Sequence, residues 1–302
     1  MANADCIVIE GSNMAECHPV GFQWVVEAKK RGARIIHVDP RYTRTSAFAN
    51  RHIGIRGGTD VVLLGAIIKY VLDNDLYFHD YVVNYTNAAS IISSDFQDTE
   101  DLEGLFSGYD AETGKYVTDS WQYVRKPEGS SWNVEKDPTL ENPNTVFQIL
   151  KRHYSRYTPE MVEETCGISQ EDFYYLADSI ADNSKPDRTT CFAYALGFTQ
   201  HTLGAQFIRT AAILQLLMGN VGRPGSGIMA LRGHASIQGS TDIPTLFNSL
   251  PGYLPMPHVE QANWSEYLNS FRKEDQKGFW QLGENYAVSL MKSYWGDAAT
   301  EE

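Results

Sequence analysis

Two five-residue apolar runs, "CIVIE" at 6–10 and "RIIHV" at 34–38, constrain what this chain can fold into more than any other feature. Runs this short and this apolar suit strands buried on both faces, as in a parallel sheet. Between them, Val20 to Arg31 has helical periodicity, with Gly32 as its stop signal. The segment "GSNMAECHP" reads as the loop joining first strand to helix, and the second strand ends at Asp39 and Pro40. A β-α-β unit follows, and such units place the carboxyl ends of their strands along one sheet edge. Asn13, Glu16, Asp39 and Arg41 fall on that edge.

A third short strand, "HIGI", leads through "RGGTD" into an apolar helix from about Asp60 to Leu72. Gly57 and Gly58 permit close backbone approach, and Thr59 is a suitable N-cap. Three βα loops thus carry polar groups to one crevice, where open α/β sheets bind ligands; a nucleotide is the natural candidate. An alternative stays open, because Asp60 at a helix start can simply favour the helix dipole. After the first strand stands "EGSNMAE" rather than G-x-G-x-x-G, which disfavours an ordinary NAD site. Asp39 still occupies the strand end where an acidic group meets a ribose hydroxyl in Rossmann-type sites.

Composition narrows the classes further. A net charge of −13 argues against binding a nucleic acid backbone, which needs clustered Lys and Arg. Much of the acidity is local, since residues 91–142 hold twelve Asp and Glu against four Lys and Arg. No apolar run approaches the ~20 residues that span a bilayer, so direct membrane insertion is not expected, and the start "MANADCIVIEG" lacks a signal-peptide pattern. The four cysteines, Cys6, Cys17, Cys166 and Cys191, are too widely spaced for a C-x-x-C metal motif. Cys6 and Cys191 sit in strand-like runs and read as core. Cys17 beside His18 suggests a thiolate and base only on paper, because sequence neighbours need not face each other.

The rest of the chain alternates helix and strand. Tyr77 to Tyr85 reads as helical, and about 90–142 forms a polar insertion. Helices are predicted at Thr145 to Tyr157, Pro159 to Thr165, Gln170 to Ala181 and Gly204 to Met218, with "TTCFAYALG" as a buried strand before the last. Then come "GNVGRPGSG", which could cradle phosphate but lacks a P-loop ending, and the polar loop "LRGHASIQGSTD". The expected architecture is α/β: a Rossmann-like parallel sheet flanked by helices over residues 1–234, and an incomplete second α/β domain over 235–302.

Taken in order, "GSNMAECHPVGFQWV", "HVDPRYTRTSAFAN", "EGLFSGYD", "GFTQHTLGAQFIR", "LLMGNVGRPGSGI" and "LRGHASIQGSTD" resemble the large subunit of molybdenum- or tungsten-dependent formate dehydrogenases, within the molybdopterin oxidoreductase family. "HVDPRYTRT" alone points to the wider family; "EGLFSGYD" and "LRGHASIQG" point to the formate dehydrogenases. The resemblance implies a metal held by two molybdopterin guanine dinucleotides. Asn13, Glu16, Asp39, Arg41, Gly58 and Asp60 match positions that bind one dinucleotide, while Leu196, Gly197, Gln200 and His234 match residues near the second. Arg232 matches the arginine that faces formate, a role suited to a planar guanidinium, which can hold a carboxylate in a fork of two charge-assisted bonds.

The same resemblance implies a 4Fe-4S cluster, a selenocysteine or cysteine on the metal with a neighbouring histidine, and a further cofactor-binding domain. None of these has a counterpart in the 302 residues, so the expectation is a central segment of the subunit, one piece of a split or partial gene. Formate, the remainder of the large subunit and an iron-sulfur electron-transfer subunit are the implied partners; location, and molybdenum against tungsten, stay open. Two alternatives stand beside this: a cofactor- or nucleotide-binding module without catalysis, and a family oxidoreductase acting on another substrate.

Overall fold

The computed structural model describes residues 1–126, 133–234, 236–240, 242–243, 248–272 and 281–299. The chain divides into two compact units, Met1–Leu231 and Arg232–Glu302, where the sequence suggested a boundary after residue 234.

The first unit is built on five parallel strands: β1 (Cys6–Glu10), β2 (Arg34–Val38), β3 (Arg51–Ile53), β6 (Thr190–Tyr194) and β7 (Gly227–Ala230), in the spatial order β3-β2-β1-β6-β7. β1 is central and pairs in register with both neighbours, Cys6 lying between Arg34 and Thr190 and Glu10 between Val38 and Tyr194. Every residue of β1 is buried, the apolar Cys6–Ile9 as a strand covered on both faces requires, and with them the polar Glu10 at its end.

One face is covered by α2 (Pro19–Lys30), which starts on a proline at its first position and turns Phe22, Val25 and Ala28 onto Ile7, Ile9 and Ile35. Gly32, at φ +96°, ends that stretch in the left-handed region. The loop expected before α2 contains a helical turn, α1 (Met14–Cys17), whose Met14 is fully buried; four residues are too few to show a helical period. α3 (Arg44–Phe48) packs on the same side, with Phe48 edge-on to Phe22.

The other face carries α4 (Asp60–Asp73), α5 (His79–Tyr85), α6 (Val146–Tyr154), α7 (Pro159–Cys166), α8 (Gln170–Asp182) and α10 (Gly204–Leu217), with the single turn α9 (Leu196–Thr199) after β6. α4 is apolar nearly all round because it lies between the sheet and α10, α7 and α6. Thr59 does hold its N-cap position, but its hydroxyl donates to the Arg56 carbonyl at 2.8 Å instead of capping the helix. Cys6, Cys166 and Cys191 are buried, whereas Cys17 is exposed.

The polar insertion holds one small hairpin, β4 (Tyr109–Asp110) and β5 (Lys115–Tyr116), around which Phe106, Tyr116 and Trp121 cluster. The "EGLFSGYD" motif enters this hairpin, and Ser107 accepts a bond from the Trp121 indole at 2.9 Å. Asp98 is buried and paired with Arg152 of α6 at 3.1 Å, which ties the insertion to the helical layer.

In the second unit the described residues form α11 (Ile237–Ser240), an antiparallel pair β8 (Ser249–Leu250) and β9 (Leu254–Pro255), α12 (Trp264–Phe271) and α13 (Gly283–Trp295), around Leu254, Tyr267, Leu268 and Ala287. Ala235 and Thr241 of the "LRGHASIQGSTD" loop lie outside the described residues. Among the described residues no helix is long and apolar enough to cross a membrane.

Candidate functional site

The strand order reverses between β1 and β6. From β1 the chain runs outward through β2 and β3, then returns to the other side of β1 for β6 and β7. Loops leaving the two central strands must diverge, and the crevice between them is where open α/β sheets bind ligands. Here glycines line it. Gly11 sits at φ +61°, and Gly197 N–H donates to its carbonyl at 3.0 Å. A Cβ on Gly11 would lie 2.5 Å from the Phe198 nitrogen, and one on Gly197 would lie 2.7 Å from the Gly11 oxygen, so neither position accepts a side chain.

A cleft of about 300 Å³ opens over this junction, a volume at the small end of ligand pockets. The first loop contributes Ser12 and Asn13, the second Asp39, Pro40, Arg41 and Thr43, the third Ile55, Gly57 and Asp60, and the β6 side Gly197 and His201. The Ser12 hydroxyl is buried and has no hydrogen-bond partner among the described residues, a group left for a ligand to satisfy.

Buried His37 fixes the first two loops relative to each other. Its Nε2 faces the Ser12 carbonyl at 3.1 Å, and a carbonyl only accepts, so Nε2 carries the proton. Its Nδ1 then accepts from the Ser46 hydroxyl at 2.8 Å, while Ser46 Oγ accepts from the Thr43 N–H at 2.8 Å. This chain of bonds suits a neutral ring, and burial above all holds the His37 pKa below its ordinary 6.5. Asp39 Oδ1 accepts from the Arg41 N–H at 2.8 Å, leaving Oδ2 as the acceptor, 3.8 Å from His37 Nε2.

Asn13 lines the cleft, yet its amide is already engaged: Nδ2 donates to Glu16, and Oδ1 accepts from the Thr45 hydroxyl at 3.1 Å. Glu16 also pairs with Arg44 at 3.1 Å. These contacts tie α1 to α3 at the cleft rim, so Glu16 supports the site without lining it.

Asp60 begins α4, where the helix dipole favours a carboxylate. It is buried and accepts from the Gly58 N–H, Gly58 being at φ +89°. Behind it lies Glu10, 1 % exposed, hydrogen-bonded to Asp60. Burial raises both carboxyls, Glu10 well above its usual value, with the Asp60 charge adding to the rise at Glu10. His201 closes the cleft from the other side, its Nε2 bonded to the Gly197 carbonyl at 2.9 Å.

Asn13, Asp39, Arg41, Asp60 and Gly197 thus meet at one cleft, with Glu16 at its rim and Gly58 beneath Asp60. Leu196, which opens α9, and Gln200, just after it, are exposed and do not line it. Arg232 and His234 are exposed in the second unit, where His234 Nδ1 accepts from the Ser236 N–H at 3.2 Å. The glycine-rich "GNVGRPGSG" belongs elsewhere, for it precedes β7 and so lies at the opposite sheet edge. Its glycines serve packing: a Cβ on Gly225 would fall 2.5 Å from the Asn3 backbone, and one on Gly219 2.5 Å from the Phe78 ring.

Sequence reasoning missed Glu10, Ser12, His37, Thr43 and His201. His37 and Glu10 were visible as polar residues inside apolar strands, and His201 stands four residues after Gly197, one helical turn away. Within the second unit a larger hollow of about 780 Å³ is lined by residues such as Trp264, Tyr267, Met291 and Trp295, with no charged side chain among them.

The chain is 47% identical to the major subunit of the nitrate-inducible formate dehydrogenase of Escherichia coli over 99% of its length and 30% of that protein's. It is 44% identical to the formate dehydrogenase major subunit of Haemophilus influenzae, over 99% of this chain and 29% of the other. It is 43% identical to the formate dehydrogenase subunit alpha of Megalodesulfovibrio gigas, over 100% of this chain and 30% of the other. The chain therefore spans about 30% of the length of these relatives. The Molybdopterin oxidoreductase family matches residues 1–293, nearly the whole sequence, and the chain belongs to that family, whose members carry a metal on a molybdopterin cofactor.

Proposed function

We propose that the cleft between β1 and β6 holds the guanine nucleotide end of a molybdopterin guanine dinucleotide, and that this chain is the corresponding segment of a formate-oxidising subunit. The observation that carries this is the convergence of Asp39, Arg41, Asp60 and an unsatisfied Ser12 hydroxyl on one crevice at the sheet's switch point. The residues fit the group. Asp60 offers a fixed acceptor to adjacent N–H donors, which the edge of guanine presents and that of adenine does not. Asp39 Oδ2 suits a ribose hydroxyl. Arg41 brings positive charge for a phosphate, and the glycine pair lets the two loops that wall the cleft meet backbone to backbone.

When bound, the cofactor supplies the metal centre that accepts two electrons as formate becomes carbon dioxide and a proton. The chain's own contribution is binding and orientation. Arg232, exposed on the loop after β7, carries a guanidinium able to grip the formate carboxylate in two parallel bonds and to offset its charge. The same family correspondence assigns Leu196, Gly197, Gln200 and His234 to the second dinucleotide, but Gly197 lines the β1–β6 cleft and is taken here with the first. A 4Fe-4S cluster and an iron-sulfur partner subunit, which receive the electrons, complete the reading.

The test is made in the complete enzyme that contains this segment. Arg232→Lys keeps the charge and loses the fork, so formate-dependent dye reduction should show a raised KM, with Arg232→Ala worse. Asp60→Ala should lower the cofactor content. Unchanged formate kinetics in Arg232→Ala would remove the substrate assignment, and unchanged cofactor content in Asp60→Ala would remove the nucleotide one.

A further inference from the structure

Glu10 ends the central strand in a setting that suits an apolar residue. Its register neighbours are Val38 and Tyr194, and Val8 on the same face belongs to the apolar core. The side chain is 1 % exposed, and its Oε1 finds no hydrogen-bond donor from the protein. An ionised carboxylate so placed would leave Oε1 with neither water nor a donor among the described residues. Among the described residues its carboxyl meets that of Asp60, itself an acceptor, so a bond between them needs a proton.

We propose that Glu10 is a positioning residue of the nucleotide site: it stands as a neutral carboxylic acid and donates to Asp60, fixing that carboxylate toward the cleft. The inference rests on the nucleotide reading given above and adds a residue that never touches the ligand.

Asp60 heads α4, whose N-terminus favours a carboxylate, and the backbone N–H groups of Gly58 and of Asp60 itself act against burial to favour its charged form. Glu10 has none of these, and burial raises its pKa the more strongly. Among the described residues, the other titratable groups facing the pair are His201 before α10, which acts on Asp60, Cys166 at the end of α7, which feels the Asp60 charge, and Tyr194, beside Glu10 on β6. His37 of β2 turns instead to Ser12 and Asp39.

The arrangement has a use. A lone carboxylate at a cleft wall can rotate, or take up a proton as a donor-bearing base arrives. With a donor behind it, two backbone N–H groups below it and a helix N-terminus beneath, Asp60 keeps both its charge and its direction. Glutamine in place of Glu10 would also donate to Asp60, but without titrating; alanine would leave Asp60 unsupported.

The experiment combines infrared spectroscopy of the whole chain with calorimetric titration of GDP across pH. The parent chain should show a carboxylic C=O band at neutral pH that is absent in Glu10→Gln. GDP affinity should fall in the parent as pH rises through the Glu10 titration, and be flat over the same range in Glu10→Gln. Glu10→Ala should bind GDP about tenfold more weakly, the worth of one charge-assisted hydrogen bond, with circular dichroism establishing that it is folded. If the band is missing, if Glu10→Gln keeps the parent's pH profile, or if folded Glu10→Ala binds GDP like the parent, the positioning role is wrong while the nucleotide site stands. If the parent itself binds no GDP, both readings fall together.

Discussion

The Gly197 N–H donates to the Gly11 carbonyl at 3.0 Å, so the loops leaving β1 and β6 are bonded to each other where the strand order reverses. Everything proposed for the cleft depends on that closeness, because Gly11 precedes Ser12 and Asn13 and Gly197 lies under His201.

Replacing Gly197 with alanine should therefore do two things at once. The new Cβ would lie 2.7 Å from a carbonyl oxygen, and the loops must part by a fraction of an ångström to admit it. Overpacking of this kind costs about 1–3 kcal/mol. We expect a lower denaturant midpoint and weaker GDP binding. An alanine variant that unfolds and binds like the parent would show that the two loops are not in contact.

His37 makes a prediction about acid. Its folded-state pKa lies below the ordinary 6.5, so the unfolded chain takes up a proton that the folded chain refuses. The stability this represents is complete above about 6.5 and is lost as pH falls from there toward the folded value. His37→Gln should remove that part of the acid sensitivity, at a cost of roughly 1–3 kcal/mol at neutral pH for the buried partners it strands. His153, also held low by burial, contributes its own share and is left unchanged by the substitution. Denaturant titrations between pH 5 and pH 8, about the range that brackets an ordinary histidine, measure both effects. Parallel stability-against-pH curves for parent and variant would contradict the neutral-ring assignment.

The cysteines give a direct check of burial. Burial pushes the Cys6 and Cys191 thiols up to about 12 and raises Cys166 as well, whereas Cys17 is exposed. Brief treatment of the native chain with iodoacetamide should label Cys17, and all four cysteines should react in denaturant. Native labelling of Cys6 or Cys191 would mean that β1 and β6 are not the central strands.

How much of this was legible in the sequence varies by residue. "CIVIE" and "RIIHV" announced parallel strands because each centres on consecutive apolar residues, as burial on both faces demands, and the sheet edge with Asp39, Arg41 and Asp60 followed. The glycine-rich "GNVGRPGSG" misled, because glycine is needed equally where backbone meets a ligand and where backbone meets backbone; Gly225 against Asn3 is the second case. α1 was hidden because one turn has no period to detect. His37 and Glu10 escaped because a polar residue in a strand acquires its meaning only from what tertiary packing sets opposite it, here Ser12 and Asp60.

The central claim is that the crevice at the β1–β6 switch point binds a guanine nucleotide. Amide hydrogen exchange of the chain with and without GDP tests it most directly. Protection should concentrate at Gly11 to Asn13, Asp39 to Thr43, Gly57 to Asp60 and Gly197 to His201, the loops that line the cleft. Absence of protection at those loops, or protection confined to the apolar hollow around Trp264 and Trp295, would contradict it.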